Sequence, residues 1–138
     1  MRFKDKIVLI TGSAGGIGFK TALDFGNEGA IVAVTDIDFE MAKKLSNQII
    51  SNGGVAEPFQ LDVTDLEQTK NVFETLNEKH GVCDIVFCNA GIREITPMLD
   101  LPFEEWKKVI DINLTSTFLI TKNVIKKMLK YKNGKKRK

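Results

Sequence analysis

The stretch Lys6-Ile7-Val8-Leu9-Ile10-Thr11-Gly12-Ser13-Ala14-Gly15-Gly16-Ile17-Gly18 decides the fold. Its first half is a short, β-branched apolar run without polar alternation, which fits a strand buried on both faces in the middle of a parallel sheet. Its second half is a glycine-rich turn. From Gly16 to Glu28 the apolar residues Ile17, Ala22, Leu23 and Phe25 fall at roughly helical spacing, and Gly29 ends the segment. Strand, glycine turn and helix in that order bring backbone N–H groups and the positive end of a helix dipole to one spot, which suits a pyrophosphate. Such turns also serve merely to pack a helix on a strand, so the surroundings must decide.

Working outward, the unit repeats. Ala30 to Thr35 is a second β-branched run, and Phe39 to Ser51 is helical with Met41, Ala42, Leu45 and Ile49 on one stripe, broken by Asn52-Gly53-Gly54. Val55 to Val63 reads as a third strand. Asp65 to Lys79 reads as a third helix with Thr64 as its N-cap and Val72, Phe73 and Leu76 facing inward, and Val82 to Cys88 reads as a fourth strand. The alternation predicts an α/β fold with a Rossmann-type parallel sheet, and right-handed crossovers place the strands in the order 3-2-1-4. After Gly91 a loop containing Pro97 and Pro102 leads to a long helix that starts near Phe103. On it Trp106, Val109, Ile110, Asn113, Leu114, Thr117, Phe118 and Thr121 share one face.

The 138 residues, 43% apolar and 28% charged, suit one soluble globular domain. With no apolar run of roughly 18 residues and no signal-like N-terminus, the expectation is a cytoplasmic protein with no membrane contact. Cys83 and Cys88, five apart in one apolar run, would point to opposite faces of a strand and so read as reduced, unbridged thiols. His80, just before Gly81, reads as a residue of a helix's last turn, and neither it nor the cysteines have metal-ligand spacing, so no metal is expected. Of the 20 Lys and Arg, nine fall in residues 122–138, which hold no acid; the first 121 residues therefore carry 11 basic against 18 acidic residues, a net of −7. A basic run can bind phosphates without further structure, but a nucleic-acid partner rests on those charges alone and ranks last.

Asp36 stands at the end of the second strand, 18 positions after Gly18, where a carboxylate can accept hydrogen bonds from both hydroxyls of an adenosine ribose. The same charge repels a 2′-phosphate, and neither the glycine turn nor Ile37 supplies an Arg or Lys to compensate, so NAD is favoured over NADP.

Thr-Gly-x-x-x-Gly-x-Gly at residues 11–18, Asp36 after strand 2, Asp62-Val63 closing strand 3 and Asn89-Ala90-Gly91 closing strand 4 together resemble a short-chain dehydrogenase/reductase of the common short type. The resemblance covers residues 5 to about 130. It implies a cofactor site drawing on Gly12, Ser13, Gly16, Ile17, Gly18, Asp36, Ile37, Asp62, Val63, Asn89, Ala90 and Gly91. Within it Asp62 would bond the adenine amino group, Val63 would pack beside it, and Asn89-Ala90-Gly91 would line the cofactor and brace the sheet. Cys88 departs from the Asn often found at its position. Asn113 matches the family's catalytic Asn, which positions a water between the active-site Lys and solvent. A buried amide there would cost about 1–3 kcal/mol if unpaired and should have a partner.

The family continues with a strand ending in the catalytic Ser and a helix carrying Tyr-x-x-x-Lys, and the sequence stops short of both. Tyr131-Lys132-Asn133-Gly134-Lys135 spells the second motif, but it falls too soon after Asn113, and Gly134 would break the helical spacing. The chain is thus expected to be a partial NAD-binding domain over residues 1–130 with a basic tail at 131–138, C-terminally truncated by a frame change or early stop. It would represent an NAD-dependent oxidoreductase acting on an alcohol or ketone, binding NAD(H) weakly or not at all by itself and turning over nothing. A catalytically silent NAD-binding or interaction module is the alternative. Self-association is expected through an exposed edge at strand 4 or through the helix at 103–130.

Overall fold

In the computed structural model β1 (Ile7–Ile10) lies at the centre, with every one of its four residues buried. It pairs in parallel with β2 (Ile31–Asp36) on one side and β4 (Ile85–Phe87) on the other, and β3 (Val55–Gln60) lies outside β2. The order is therefore β3-β2-β1-β4, as expected of right-handed crossovers in a Rossmann-type sheet. Residues 1–132 are described. Most of the expected 131–138 tail, including Gly134 and Lys135 of the Tyr131 pair, lies outside them.

Helices α1 (Gly16–Asn27), α2 (Phe39–Ser51) and α3 (Leu66–Lys79) connect the strands. Alternate strand residues serve opposite faces, as the two-residue period dictates. Val8, Ile10, Val32 and Val34 meet Ala22 of α1 and Ala42, Leu45 and Ile49 of α2. Ile7, Leu9 and Ala33 meet Val72, Phe73 and Leu76 of α3. Helices α1 and α2 approach closely because a Cβ on Gly26 would lie 2.6 Å from Ile49 Cγ2.

The third helix begins one residue later than its sequence signals suggest. Asp65, not Thr64, is the N-cap: its carboxylate accepts from Glu67 N at 2.9 Å and Gln68 N at 3.0 Å, leaving Thr64 to bond Asp62 instead. The third strand also stops short of Val63, because after a last rung from Leu61 N to Asp36 O the next amide, Asp62 N, turns to the side chain of Gln68. At the helix's other end His80 is the C-cap, with Nε2 3.0 Å from Glu57 Oε2, while Lys79 pairs with the other Glu57 oxygen.

The cysteines do not lie on opposite faces. Only Ile85–Phe87 is strand, so the chain before it is free to turn, and both Cys83 and Cys88 pack against the α3 side of the sheet. Both are free thiols. Burial pushes the Cys83 thiol up to about 12, and burial likewise raises Cys88.

The long helix differs most from its sequence reading. It runs as α4 (Phe103–Ile110), a π-helical segment (Asp111–Thr115) and α5 (Ser116–Lys132). Ser116, Ile120 and Val124 are the buried positions, four apart, whereas Trp106, Leu114 and Phe118 of the expected inward face are exposed. A π turn shifts the phase of the face, so one stripe cannot run through it. Among the described residues no helix is long and apolar enough to cross a membrane, and no cluster of His, Cys, Asp and Glu could hold a metal ion.

Candidate functional site

At the carboxyl ends of β1 and β4 the glycine turn is bolted to the segment after β4. The buried Thr11 hydroxyl accepts hydrogen bonds from Asn89 N and Ala90 N, both at 3.0 Å. The Asn89 amide in turn donates to Thr11 O at 3.1 Å and Gly12 O at 2.8 Å. Side chains are excluded here by distance: a Cβ on Gly12 would lie 2.7 Å from Ala90 Cα, and one on Gly18 would lie 2.5 Å from Gly12 O. Gly12 also sits at φ +58°, where glycine carries little strain.

Helix α1 opens differently from its neighbours. Asp38 and Asp65 cap α2 and α3, but α1 starts from Gly15 with no side-chain cap and no acid in its first turn. A Cβ on Gly15 or Gly16 would meet nothing within 4 Å, so the first turn faces open space. Uncapped N–H groups at the positive end of a helix are suited to an anion.

Two carboxylates flank this opening. Asp36 Oδ2 accepts from Ala14 N at 2.9 Å and Oδ1 from Asp38 N at 3.1 Å, which ties β2 to the glycine turn. Asp62 Oδ1 accepts from Thr64 N at 2.9 Å and Thr64 Oγ1 at 2.7 Å. Between them lies a cavity of about 420 Å³, within the range of small-molecule sites.

Of the residues singled out in the sequence, Gly12, Asp36, Ile37, Asp62, Val63, Asn89, Ala90 and Gly91 line this cavity. Ser13, Gly16, Ile17, Gly18 and Asn113 are not among its lining. Ser13 is buried, with its hydroxyl and its N–H both directed at Thr35 O. Gly18 is packed beneath the turn, and Ile17 is 73% exposed. Asn113 sits in the π-helical segment, where its amide grips one residue from both sides: Oδ1 accepts from Ile92 N at 2.9 Å and Nδ2 donates to Ile92 O at 2.8 Å. The residue has its partner, as expected, but lies exposed instead of buried.

Gly15, Leu61, Ile92 and Ile112 also line the cavity and were not anticipated. Gly15, Leu61 and Ile92 each adjoin a recognised motif, so a one-residue extension would have found them. Ile112 carried no signal, because its approach depends on where the π turn places the helix.

The family model for short chain dehydrogenase matches residues 6–135. The chain is 39% identical over 134 residues to 3-oxoacyl-[acyl-carrier-protein] reductase FabG of Thermotoga maritima, covering 97% of this chain and 54% of that protein. It is 38% identical over 129 residues to the uncharacterized oxidoreductase YxbG of Bacillus subtilis, covering 93% of this chain and 47% of that one. Among solved structures it resembles a short-chain type dehydrogenase/reductase from Mycobacterium marinum, with a TM-score of 0.91 and 35% identity over 96% of this chain and 53% of that one. It also resembles hydroxysteroid dehydrogenase from Escherichia coli, with a TM-score of 0.89 and 30% identity over 94% of this chain and 55% of that one. The chain thus spans about half the length of these relatives.

Proposed function

Because the chain belongs to the short chain dehydrogenase family, we propose that it is the NAD(H)-holding half of an oxidoreductase that moves a hydride between the cofactor and an alcohol or ketone. The observation that carries this reading is the uncapped start of α1 opening between Asp36 and Asp62 at one cavity. The pyrophosphate belongs at Gly15 and Gly16, over the start of α1, where no side chain caps the helix. Asp36 takes the ribose hydroxyls, Asp62 the adenine amino group, and Val63 the adenine face. Asn89, Ala90 and Gly91 hold the turn at the spacing the ligand needs. Ser13 and Gly18 act from beneath, by fixing the turn to β2 and to Asn89.

The preference for NAD over NADP rests on the lining itself, which carries two carboxylates and no Lys or Arg to receive a second phosphate. When bound, the cofactor supplies the hydride acceptor or donor; this chain's residues bind and orient it. Asn113 is a positioning residue. Its side chain is committed to Ile92, so it keeps the loop beyond Gly91 against the helix. The part of this stretch in the reaction is thus to hold and orient the cofactor.

A second copy is the protein partner that the long helix suits. Phe103, Trp106, Leu114, Phe118 and Leu129 are exposed along it. Residues 103–111 hold Glu104, Glu105 and Asp111 against Lys107 and Lys108, a net of −1, and the far end holds Lys122, Lys126 and Lys130 with no acid. An antiparallel pairing therefore brings opposite charges together around an apolar centre.

Titration with NADH and NADPH, followed by ligand fluorescence, tests the reading. Weak but saturable NADH binding, at least tenfold tighter than NADPH, is expected, a factor set by about one unfavourable charge contact. Equal or inverted affinity would remove the NAD preference, and no saturable binding of either would remove the cofactor assignment. Turnover of any member of an alcohol or ketone panel by the chain alone would show that it is more than the cofactor-holding half.

A further inference from the structure

We infer that Thr64 is a positioning residue that turns Asp62 into a reader of the adenine amino group, an inference that rests on the NAD(H) reading above. Asp62 follows the end of β3 and lines the cavity. Its Oδ1 already accepts two hydrogen bonds, from the amide and the hydroxyl of Thr64. A carboxylate oxygen offers about two lone-pair sites, so Oδ1 is filled. Oδ2 has no hydrogen-bond partner among the described residues. The backbone of Asp62 is held separately, through its N–H on Gln68 Oε1 at 2.9 Å, and Gln68 is itself fixed by the Asp65 cap.

The division of labour follows. Gln68 sets where Asp62 stands, and the Thr64 hydroxyl sets how its carboxylate is turned. That leaves Oδ2 as the acceptor with no donor beside it, and an acceptor of this kind demands an N–H from the base. Adenine presents an amino group at its six-position. Hypoxanthine presents a carbonyl oxygen at the same place, and two acceptors repel. Thr64 thereby acts on base selectivity without touching the base.

Thr64 is exposed and does not cap α3, so Thr64→Val keeps the side-chain shape and the helix start while deleting one donor. The test is fluorescence titration of the full chain with NADH and with reduced nicotinamide hypoxanthine dinucleotide, for the unaltered protein, Thr64→Val and Thr64→Ser, alongside thermal melting of each. The unaltered chain should prefer NADH by about tenfold, the worth of one hydrogen bond to a charged group. Thr64→Val should cut that preference to about threefold or less by weakening NADH alone, and Thr64→Ser should keep it. A Thr64→Val protein that weakens both dinucleotides equally, or keeps the full preference, overturns the positioning role. Equal binding of the two by the unaltered chain overturns the adenine contact of Asp62 and this inference with it. Absence of saturable binding of either dinucleotide instead sinks the parent NAD(H) reading.

Discussion

The two faces of the sheet are sealed to different degrees. On the α1–α2 face all nine core residues are 1% exposed or less, whereas on the α3–α5 face Val63 keeps 8%, Val72 7% and Val124 4%. The first face is built from small residues, Ala22, Ala30, Ala42 and Gly26, which let two helices sit directly on the strands. The second depends on larger side chains and on α5, whose outer stripe has no cover. Close approach of backbone, more than side-chain bulk, excludes water here.

That contrast predicts unequal penalties. Leu45→Ala on the sealed face should cost about 3–5 kcal/mol, because a rigid surround cannot collapse into the hole. Val124→Ala on the looser face should cost about 1–2 kcal/mol. Chemical denaturation would measure both, and equal losses would break the comparison. Thr11→Val, at the join of the two faces, orphans the amides of Asn89 and Ala90 and should cost about 2–3 kcal/mol while weakening NADH binding. If binding survives intact, the bolt between the turn and β4 is not what shapes the cavity.

A smaller effect is expected at the edge of the looser face. Partial burial pushes the Glu57 carboxyl up, but hydrogen bonds from Lys79 and His80 outweigh it and hold the group below its ordinary 4.5. A folded-state value below the unfolded one means stability that is present above about pH 4.5 and lost as pH falls through the folded value. Glu57→Gln should therefore flatten the fall in stability below about pH 4.5, read by urea unfolding across that range; an unchanged slope would show that the pair is solvated. The smallest stability change, within about 0.5 kcal/mol, is expected for Leu114→Glu combined with Phe118→Glu, since both side chains are exposed. The same change should lower the sedimentation-derived mass if the helix pairs two copies; a mass that does not move would leave the stripe unpartnered.

Much of the fold could be read from the residues because β1 and the first four residues of β2 are apolar without interruption and the glycines punctuate them. Strand order followed from right-handed crossovers taken together with the Rossmann-type alternation. The site was legible where motif residues sit at strand ends, as Asp36 and Asn89 do. It was not legible where a side chain's target lies far along the chain: Ser13 looks like a ligand contact but is spent on Thr35 O, 22 residues on. Nor could periodicity show which stripe of the long helix turns inward. Leu114 and Phe118 repeat as regularly as Ile120 and Val124, and only the π turn decides between them.

The hydroxyl of Thr11 has a kinetic consequence as well. It fastens two amides that belong to no strand, Asn89 and Ala90, at the end of a β4 only three residues long. In hydrogen–deuterium exchange those two amides should be among the slower ones outside the regular elements. The entry of β4 is held as well, since Asp84 N donates to Ile7 O at 2.8 Å and the Asp84 carboxylate accepts from Ile7 N at 2.9 Å, so the short strand is pinned at both ends. Local opening that exposes β4 therefore has to release both attachments together, which slows it.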